Sequence, residues 1–455
     1  MYPSGIAALT PFSDQQASVI IELTDSDPSM SVQRMKAKCY SERENKVMCN
    51  AENLRVILKI YYLLFIVFCE VHTLNMMISS SALDSIVTKL SQFGGDTLSW
   101  IFTLLIYIFF AISILYGQRI QLYVWLREVE GSLYKLKRIR DEGRRIAIET
   151  IKEIGKPADD PTERVDRFLE YFTIQPVSMD PARVVWKLEH ILDVRDNRFK
   201  DEVKLMAPAA DKTQVNNLEN TLEAALALNM IYKIIRHFYL LGKKTLSLYI
   251  IMQLQMIMPM VMREAEAYAS ALKAFAYGQP IGDGAGALVA AKLMRGFQKR
   301  KIAKDIVVAT VPIEGRTAYV LKAEGPGGNV AKPGEAIKQL IEENDGKISS
   351  IIIIDAALKL EGEKTGEVAE GIGVAIGGPG VEQYKVEESL LQYKVPVNAI
   401  IIKEDIADAV SPMRKEIFEA AENAINRIKR LIRERTKEGD TVIIAGIGNT
   451  IGIGQ

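Results

Sequence analysis

The chain has 455 residues, enough for two or three domains, and its 57 basic and 57 acidic side chains leave no net charge. No charge excess favours nucleic acid, and none is predicted as a partner. The three cysteines and three histidines all precede residue 238. Their absence beyond that point excludes a disulfide framework, a Cys/His zinc site, a thiol nucleophile and Ser-His-Asp catalysis from the C-terminal half.

Residues 1–75 are interpreted as a poorly defined N-terminal extension. The apolar stretch IYYLLFIVFC, 60–69, has only ten residues, which is short for a membrane span and typical of a signal-type or interfacial segment. The possibility that 56–74 forms a second membrane span stays open. We favour Met76 or Met77 as the natural start of the protein, with the preceding residues coming from an upstream start assignment.

A transmembrane helix is predicted at 97–118, where TLSWIFTLLIYIFFAISILYGQ contains no charged residue. The alternative is a buried core helix. Eight basic residues lie between Arg119 and Arg145, whereas 76–97 contains only Lys89. By the positive-inside rule, this asymmetry predicts a single-pass cell-membrane protein, with the lipid bilayer as a partner and the C-terminal part in the cytoplasm.

The middle of the chain, 119–277, is predicted to be a helical stalk and a helical domain. Its main elements are two long helices, at about 213–240 and 246–276. The stretch LSLYIIMQLQMIMPMVM, 246–262, is rich in methionine and uncharged. It is interpreted as a helical core or as the interface of a homo-oligomer rather than as a second membrane segment.

From residue 278 to 455 the pattern alternates between strands and helices, which indicates an α/β domain. The predicted strands are 305–313, 316–325, 348–358, 373–377, 397–404 and 441–448, and the predicted helices are 286–294, 335–344 and 413–438. Such alternation is typical of a largely parallel sheet with helices on both faces. The fold class is therefore α/β, preceded by the membrane helix and the all-helical middle region.

Acids and glycines are predicted to converge at the carboxyl ends of the strands, where sites of α/β sheets lie. Asp355 follows the buried run 351–354, and Asp283 lies in the glycine-rich bend GDGAG, 282–286. Two adjacent carboxylates can share one proton or bind a divalent cation through oxygen. The candidate ligand-binding residues are Gly282, Gly284, Gly286, Gly377, Gly378, Gly380, Gly446, Gly448 and Asn449.

Each candidate has a simpler interpretation. Asp283 could be an ordinary N-terminal cap of the helix 286–294. The loops GGPG, 377–380, and GIGNTIGIG, 446–454, could be turns, or could hold a phosphate or nucleotide through backbone amides with Lys332 nearby. Cofactors are left unknown, and no metal ligands are assigned.

The bend GDGAGALVAAKL, 282–293, together with IIIIDAAL, 351–358, resembles the paired signatures of the hydrogenase-maturation endopeptidases and the spore germination protease. The resemblance implies that Asp283 and Asp355 form a catalytic acid pair acting on a protein or peptide. Those families begin the domain with a strand ending in Gly-x-Gly-Asn, whereas GIGN, 446–449, closes this chain. We infer a circular permutation, which requires 446–454 to lie beside 282–286. The maturation enzymes also use a metal-binding histidine that is missing here, so the spore-protease pattern is the closer one.

The chain from Met76 also resembles an uncharacterised archaeal membrane-anchored family, a domain of unknown function. The likeness rests on 132–161 and on the terminal GIGNTIGIGQ, 446–455, and it implies no activity. Three functions remain: a membrane-anchored peptidase with an Asp pair, a non-catalytic phosphate or nucleotide-binding module, and a scaffold that assembles through the methionine-rich helix.

Overall fold

The computed structural model describes residues 96–176 and 183–455. The predicted N-terminal extension 1–75 and its apolar segment lie outside the described residues. Arg119–Gln455 belong to one compact unit, and residues 10–118 to another. Apart from the helix that begins at Asp96, every element named below lies within Arg119–Gln455.

The N-terminal part of the described chain is helical. Its helices are α1 (Asp96–Thr150), α2 (Thr162–Leu169), α3 (Val184–Met206), α4 (Lys212–Thr245) and α5 (Leu248–Ala276), with a π-helical turn at Ile151–Gly155. The two long helices predicted for this region are confirmed as α4 and α5. Asp211 begins α4 with a capping box, since its carboxylate accepts from the N–H of Gln214 at 2.8 Å while the Gln214 side chain accepts from the N–H of Asp211 at 2.9 Å.

The methionine-rich stretch forms the first half of α5. Ile251, Leu254 and Met258 are buried in the core that α1 to α5 share, whereas Met256 and Met260 on the same helix are exposed. This part of α5 therefore fills a helical core, as the spacing predicts.

Among the helices in the ranges 96–176 and 183–455, none is long and apolar enough to cross a membrane. The predicted span 97–118 lies within α1, but most of its side chains lie outside the described residues.

A seven-stranded sheet forms the centre of the C-terminal part. Its strands are β1 (Lys299–Ala303), β2 (Ile306–Ile313), β3 (Arg316–Ala323), β4 (Ser350–Leu358), β5 (Val368–Ile372), β6 (Val397–Glu404) and β7 (Thr441–Gly446), in the order β1-β2-β3-β7-β4-β6-β5. The four central strands β3, β7, β4 and β6 are parallel, and the edge strands pair antiparallel. The sheet is therefore mixed, and the predicted parallel arrangement holds for its centre only.

Helices cover both faces of this sheet. They are α6 (Ala285–Leu293), α7 (Pro333–Glu343), α8 (Val381–Tyr393) and α10 (Lys415–Arg435), whereas the short helix α9 (Ile406–Val410) packs on the helical core. Ile352 and Ile354 of β4 pack with α6 and α10, whereas Ile351 and Ile353 pack on the opposite face with α7 and α8. The isoleucine run therefore marks a strand buried on both faces.

The predicted strand at 373–377 is wrong. The strand β5 precedes it and ends at Ile372, and Gly373 follows with a φ of 119°, which a side chain rarely adopts. Beyond Gly373 the chain leaves the sheet and reaches the end of β4. The sequence did not predict β1, α8 or α9.

Candidate active site

Asp283 lies on a single 3₁₀ turn, Gly282–Gly284, that leads into α6. A carboxylate oxygen of Asp283 accepts a hydrogen bond from the main-chain N–H of Asn449, 3.0 Å away. Helix α6 has Gly284 as its N-cap and receives no side-chain cap. The interpretation of Asp283 as a helix cap is therefore wrong, because its carboxylate binds the last loop of the chain instead.

Asp355 lies near the carboxyl end of β4 and is buried. Its carboxylate accepts hydrogen bonds from the N–H of Ala356 at 2.8 Å and from the N–H of Gly377 at 3.1 Å. Burial raises the pKa of Asp355 well above its ordinary value, and the negative charge of Asp283 raises it further. The two predicted acids therefore lie close enough for the charge of one to affect the pKa of the other.

The surroundings of these two acids differ. Burial raises the pKa of Asp283, but the N–H of Asn449 stabilises the ionised carboxylate and opposes that rise. Asp283 also keeps part of its surface exposed, whereas Asp355 is buried. Burial raises both pKa values, that of Asp355 more strongly, and two carboxyls of unequal pKa can act as base and acid.

A third carboxyl, Glu404, joins this site at the end of β6. Its side chain is 2% exposed, and its Oε2 has no hydrogen-bond partner among the described residues. Burial, followed by the charges of Asp283, Asp408 and Asp355, raises the pKa of Glu404 to about 9. The sequence reading missed Glu404, although it ends a buried strand much as Asp355 follows its isoleucines.

The glycines of the opening bend and of the last loop pack backbone against backbone. A Cβ on Gly286 would overlap the carbonyl oxygens of Ile354 and Ile447, and a Cβ on Gly448, whose φ is 118°, would overlap the carbonyl oxygen of Asp283. A Cβ on Gly284 would overlap the carbonyl oxygen of Asn449, and one on Gly446 would overlap the carbonyl oxygen of Gly286. These glycines therefore permit the close approach that places 446–449 beside 282–286.

The GGPG loop contributes to the site through one amide. The N–H of Gly377 binds Asp355, whereas Gly378 and Gly380 have positive φ and face open space. The ammonium group of Lys332 is held by Glu189 at 3.0 Å and Asp193 at 2.8 Å, both on α3.

Within residues 96–176 and 183–455, no group of three or more histidine, cysteine, aspartate or glutamate side chains is arranged to hold a metal ion. Burial raises the pKa of the carboxyls at the ends of β4 and β6 and so favours their protonated forms.

Comparison with known families gives two matches. Residues 103–278 match the N-terminal domain of the protein of unknown function DUF1512, and residues 281–454 match the C-terminal domain of unknown function of DUF1512. The chain belongs to the DUF1512 family. No curated protein and no solved structure matches this DUF1512 chain.

A groove of about 750 Å³ lies beside the site on the DUF1512 C-terminal domain, between α6 and the beginning of α10. Its apolar lining includes Leu288, Phe418, Met413 and Ile453. The side chains of Met413 and Ile453 also pack near Gly284. The groove therefore shares a wall with the turn that carries Asp283, and it has the size of a ligand pocket. Its basic residues are Lys292, Arg295 and Lys415.

Proposed function

We propose that this DUF1512 protein is a membrane-anchored peptidase whose C-terminal domain faces the cytoplasm and hydrolyses peptide bonds with Asp283 and Asp355. The observation that carries the proposal is the pair formed by the buried Asp355 and the partly exposed Asp283, in which the charge of Asp283 raises the pKa of Asp355. The likeness to the maturation proteases, the circular permutation and the archaeal source all belong to this proposal.

The roles follow from the different surroundings of the two acids. Asp283, whose ionised form the Asn449 amide stabilises, takes a proton from a water molecule as the water oxygen attacks the peptide carbonyl carbon. Asp355, whose protonated form is favoured, gives its proton to the leaving amine nitrogen as the C–N bond breaks. Transfer of the proton held by Asp283 to Asp355 then restores the pair.

Glu404 keeps the site from gaining a third negative charge. With a pKa of about 9, it is neutral at physiological pH, so it adds no repulsion to the ionised Asp283. The groove between α6 and α10 offers apolar walls and a basic rim beside the turn that carries Asp283. This combination favours a peptide with apolar and acidic side chains as the substrate.

We expect the full-length protein, in detergent, to cut members of a proteome-derived peptide library. Asp283→Asn and Asp355→Asn should each lower the cleavage rate by about 100-fold or more, because each removes a proton-transfer group. The measurement is the rate at which new peptide amino termini appear, followed by mass spectrometry.

Asp345→Asn serves as the matched control, because Asp345 is an exposed acid that follows α7. Its cleavage rate should equal that of the wild-type protein. An uncut library, or equal cleavage by Asp355→Asn and the wild-type protein, would contradict the proposed activity.

The alternative is a non-catalytic phosphate or nucleotide-binding module at the membrane. The open amides around Gly378 and Gly380, at the beginning of α8, favour it. The ion pairs that hold Lys332 on α3 count against it, because they neutralise the cation assigned to the phosphate. Calorimetry with inorganic phosphate and ATP separates the two functions, since the peptidase proposal requires neither to bind.

The membrane anchor rests on the uncharged stretch 97–118 and the basic residues after it. Washing membranes at alkaline pH should leave the full chain in the pellet, and its release into the supernatant would contradict the anchor.

A homo-oligomer is part of the same proposal, with the exposed Tyr249, Met256 and Met260 of α5 as its contact surface.

A further inference from the structure

Helix α4 buries three asparagines at one end, in the sequence NNLEN, 216–220. Asn216, Asn217 and Asn220 are each less than 8% exposed. Buried amides need hydrogen-bond partners, and an apolar residue would serve helix packing better. Their partners therefore indicate what the helical region contributes to the α/β region.

Asn217 and Asn220 both bind the loop that precedes α7. The Oδ1 of Asn217 accepts from the N–H of Gly328 at 3.0 Å. The Nδ2 of Asn220 donates to the carbonyl of Gly328 at 3.1 Å and to the carbonyl of Asn216 at 2.7 Å. These bonds attach α4 to the loop and are structural.

Asn220 makes one further bond that Asn217 does not share. Its Oδ1 accepts from the Nδ2 of Asn449 at 3.0 Å. The Oδ1 of Asn449 accepts from the N–H of Ile451 at 3.0 Å, and the main-chain N–H of Asn449 donates to Asp283. A continuous path of two hydrogen bonds thus runs from α4 through Asn449 to the carboxylate of Asp283.

We propose that Asn220 is a positioning residue for Asp283: it holds Asn449 so that the Asn449 amide stays directed at the carboxylate. This inference rests on the proposed function, in which Asp283 is the base. It makes the helical region part of the catalytic apparatus, because a residue of α4 sets the state of an acid in the α/β region.

The hydrogen bond from the Asn449 N–H stabilises the ionised form of Asp283. Burial favours the neutral carboxyl, and the Asn449 N–H is the hydrogen bond that favours the carboxylate. The titratable groups of neighbouring elements in the site are Asp355 of β4, Glu404 of β6 and Asp408 of α9, all acidic. Asp408 is paired with Arg414 at 3.4 Å, so the neighbouring cation is held by that pair. The Asn449 N–H is the group that lowers the pKa of Asp283, and its direction therefore affects how readily Asp283 ionises.

The test is a titration of the Asp283 carboxyl in the full-length protein. Selective ¹³C-carboxyl labelling of aspartate, with the signal assigned by its loss in Asp283→Asn, gives the midpoint by NMR. Asn220→Ala should move this midpoint to higher pH, because the amide loses its fixed direction. Asn217→Ala is the matched control, since it breaks a bond to the same loop without touching Asn449, and it should leave the midpoint unchanged.

Asn449→Ala removes the other partner of the side-chain pair and leaves α4 intact. It should raise the midpoint at least as much as Asn220→Ala does, because it also removes the acceptor of the Ile451 N–H. The double variant should show no rise beyond that of Asn449→Ala, because the link to Asn220 is already broken in it. An unchanged midpoint in Asn220→Ala, or an equal rise in Asn217→Ala, would overturn the proposal. If Asn220→Ala does not fold, Asn449→Ala decides the question by the same criterion.

The titration needs no substrate, so its result stands apart from the peptidase assay. A raised midpoint without peptide cleavage would support the positioning path and reject the proposed activity. Cleavage by the wild-type protein with an unchanged midpoint in Asn220→Ala would support the activity and reject the path.

Discussion

Gly448→Ala should destabilise the protein by about 3–5 kcal/mol, the range of the most damaging single substitutions. Gly448 has a φ of 118°, and an added Cβ would overlap the carbonyl oxygen of Asp283. Backbone strain at a position that only glycine tolerates costs about 1–3 kcal/mol, and overpacking against a fixed main chain costs a similar amount. Urea denaturation followed by circular dichroism measures the loss.

Gly454→Ala is the control for this substitution. Gly454 lies in the same C-terminal segment, has no atom within 4 Å of the added Cβ, and does not have a positive φ. Its free energy of unfolding should stay within about 0.5 kcal/mol of the wild-type value. Equal stability of Gly448→Ala and Gly454→Ala would show that the last loop does not pack against the turn of Asp283.

Glu404→Gln should stabilise the protein increasingly as the pH rises from 5 to 9. The pKa of Glu404 is about 9 in the folded protein and near 4.5 when unfolded. Between these values the folded chain holds a proton that the unfolded chain has released, so the stability of the wild-type protein falls as pH rises. The loss approaches about 1.4 kcal/mol for each pH unit, and glutamine, which does not titrate, avoids it.

The measurement is the free energy of unfolding at pH 5, 7 and 9 for both proteins. Below about pH 4.5 the two should be close, because Glu404 is then protonated in both states. Glu361→Gln, at an exposed position beyond β4, should follow the wild-type curve. Parallel curves for Glu404→Gln and the wild-type protein would mean that Glu404 is not held neutral in the fold.

The sheet core was predictable because its strands carry a strong local signal. The run Ile351–Ile354 is apolar at every position, which indicates a strand buried on both faces, and Asp355 directly after it lies near the carboxyl end of that strand. Helix α8 was missed because its buried face includes Lys385 and Ser389. Lys385 is buried because it forms ion pairs with Glu189 and Glu382. The spacing of hydrophobic residues does not reveal a buried position that is occupied by a paired lysine.

The candidate site was predictable only in part, because some of its residues depend on tertiary contacts that no local pattern predicts. The glycines around Asp283 indicate close backbone approach, and topology then brings Asp355 to the same edge of the sheet. Glu404 has a weak local signal, since it ends a buried strand, whereas Asn220 has none, because an asparagine in a helix is ordinarily solvated. Their roles depend on which atoms the tertiary fold places against them, and one sequence does not contain that information.

The central claim is that Asp283 and Asp355 form one coupled acid site. A ¹³C-carboxyl titration of Asp355, in the wild-type protein and in Asp283→Asn, tests it most directly. We predict a midpoint for Asp355 well above that of an ordinary aspartate, and a fall in that midpoint when Asp283 loses its charge. A midpoint at the ordinary value, or one that Asp283→Asn leaves unchanged, would contradict the claim.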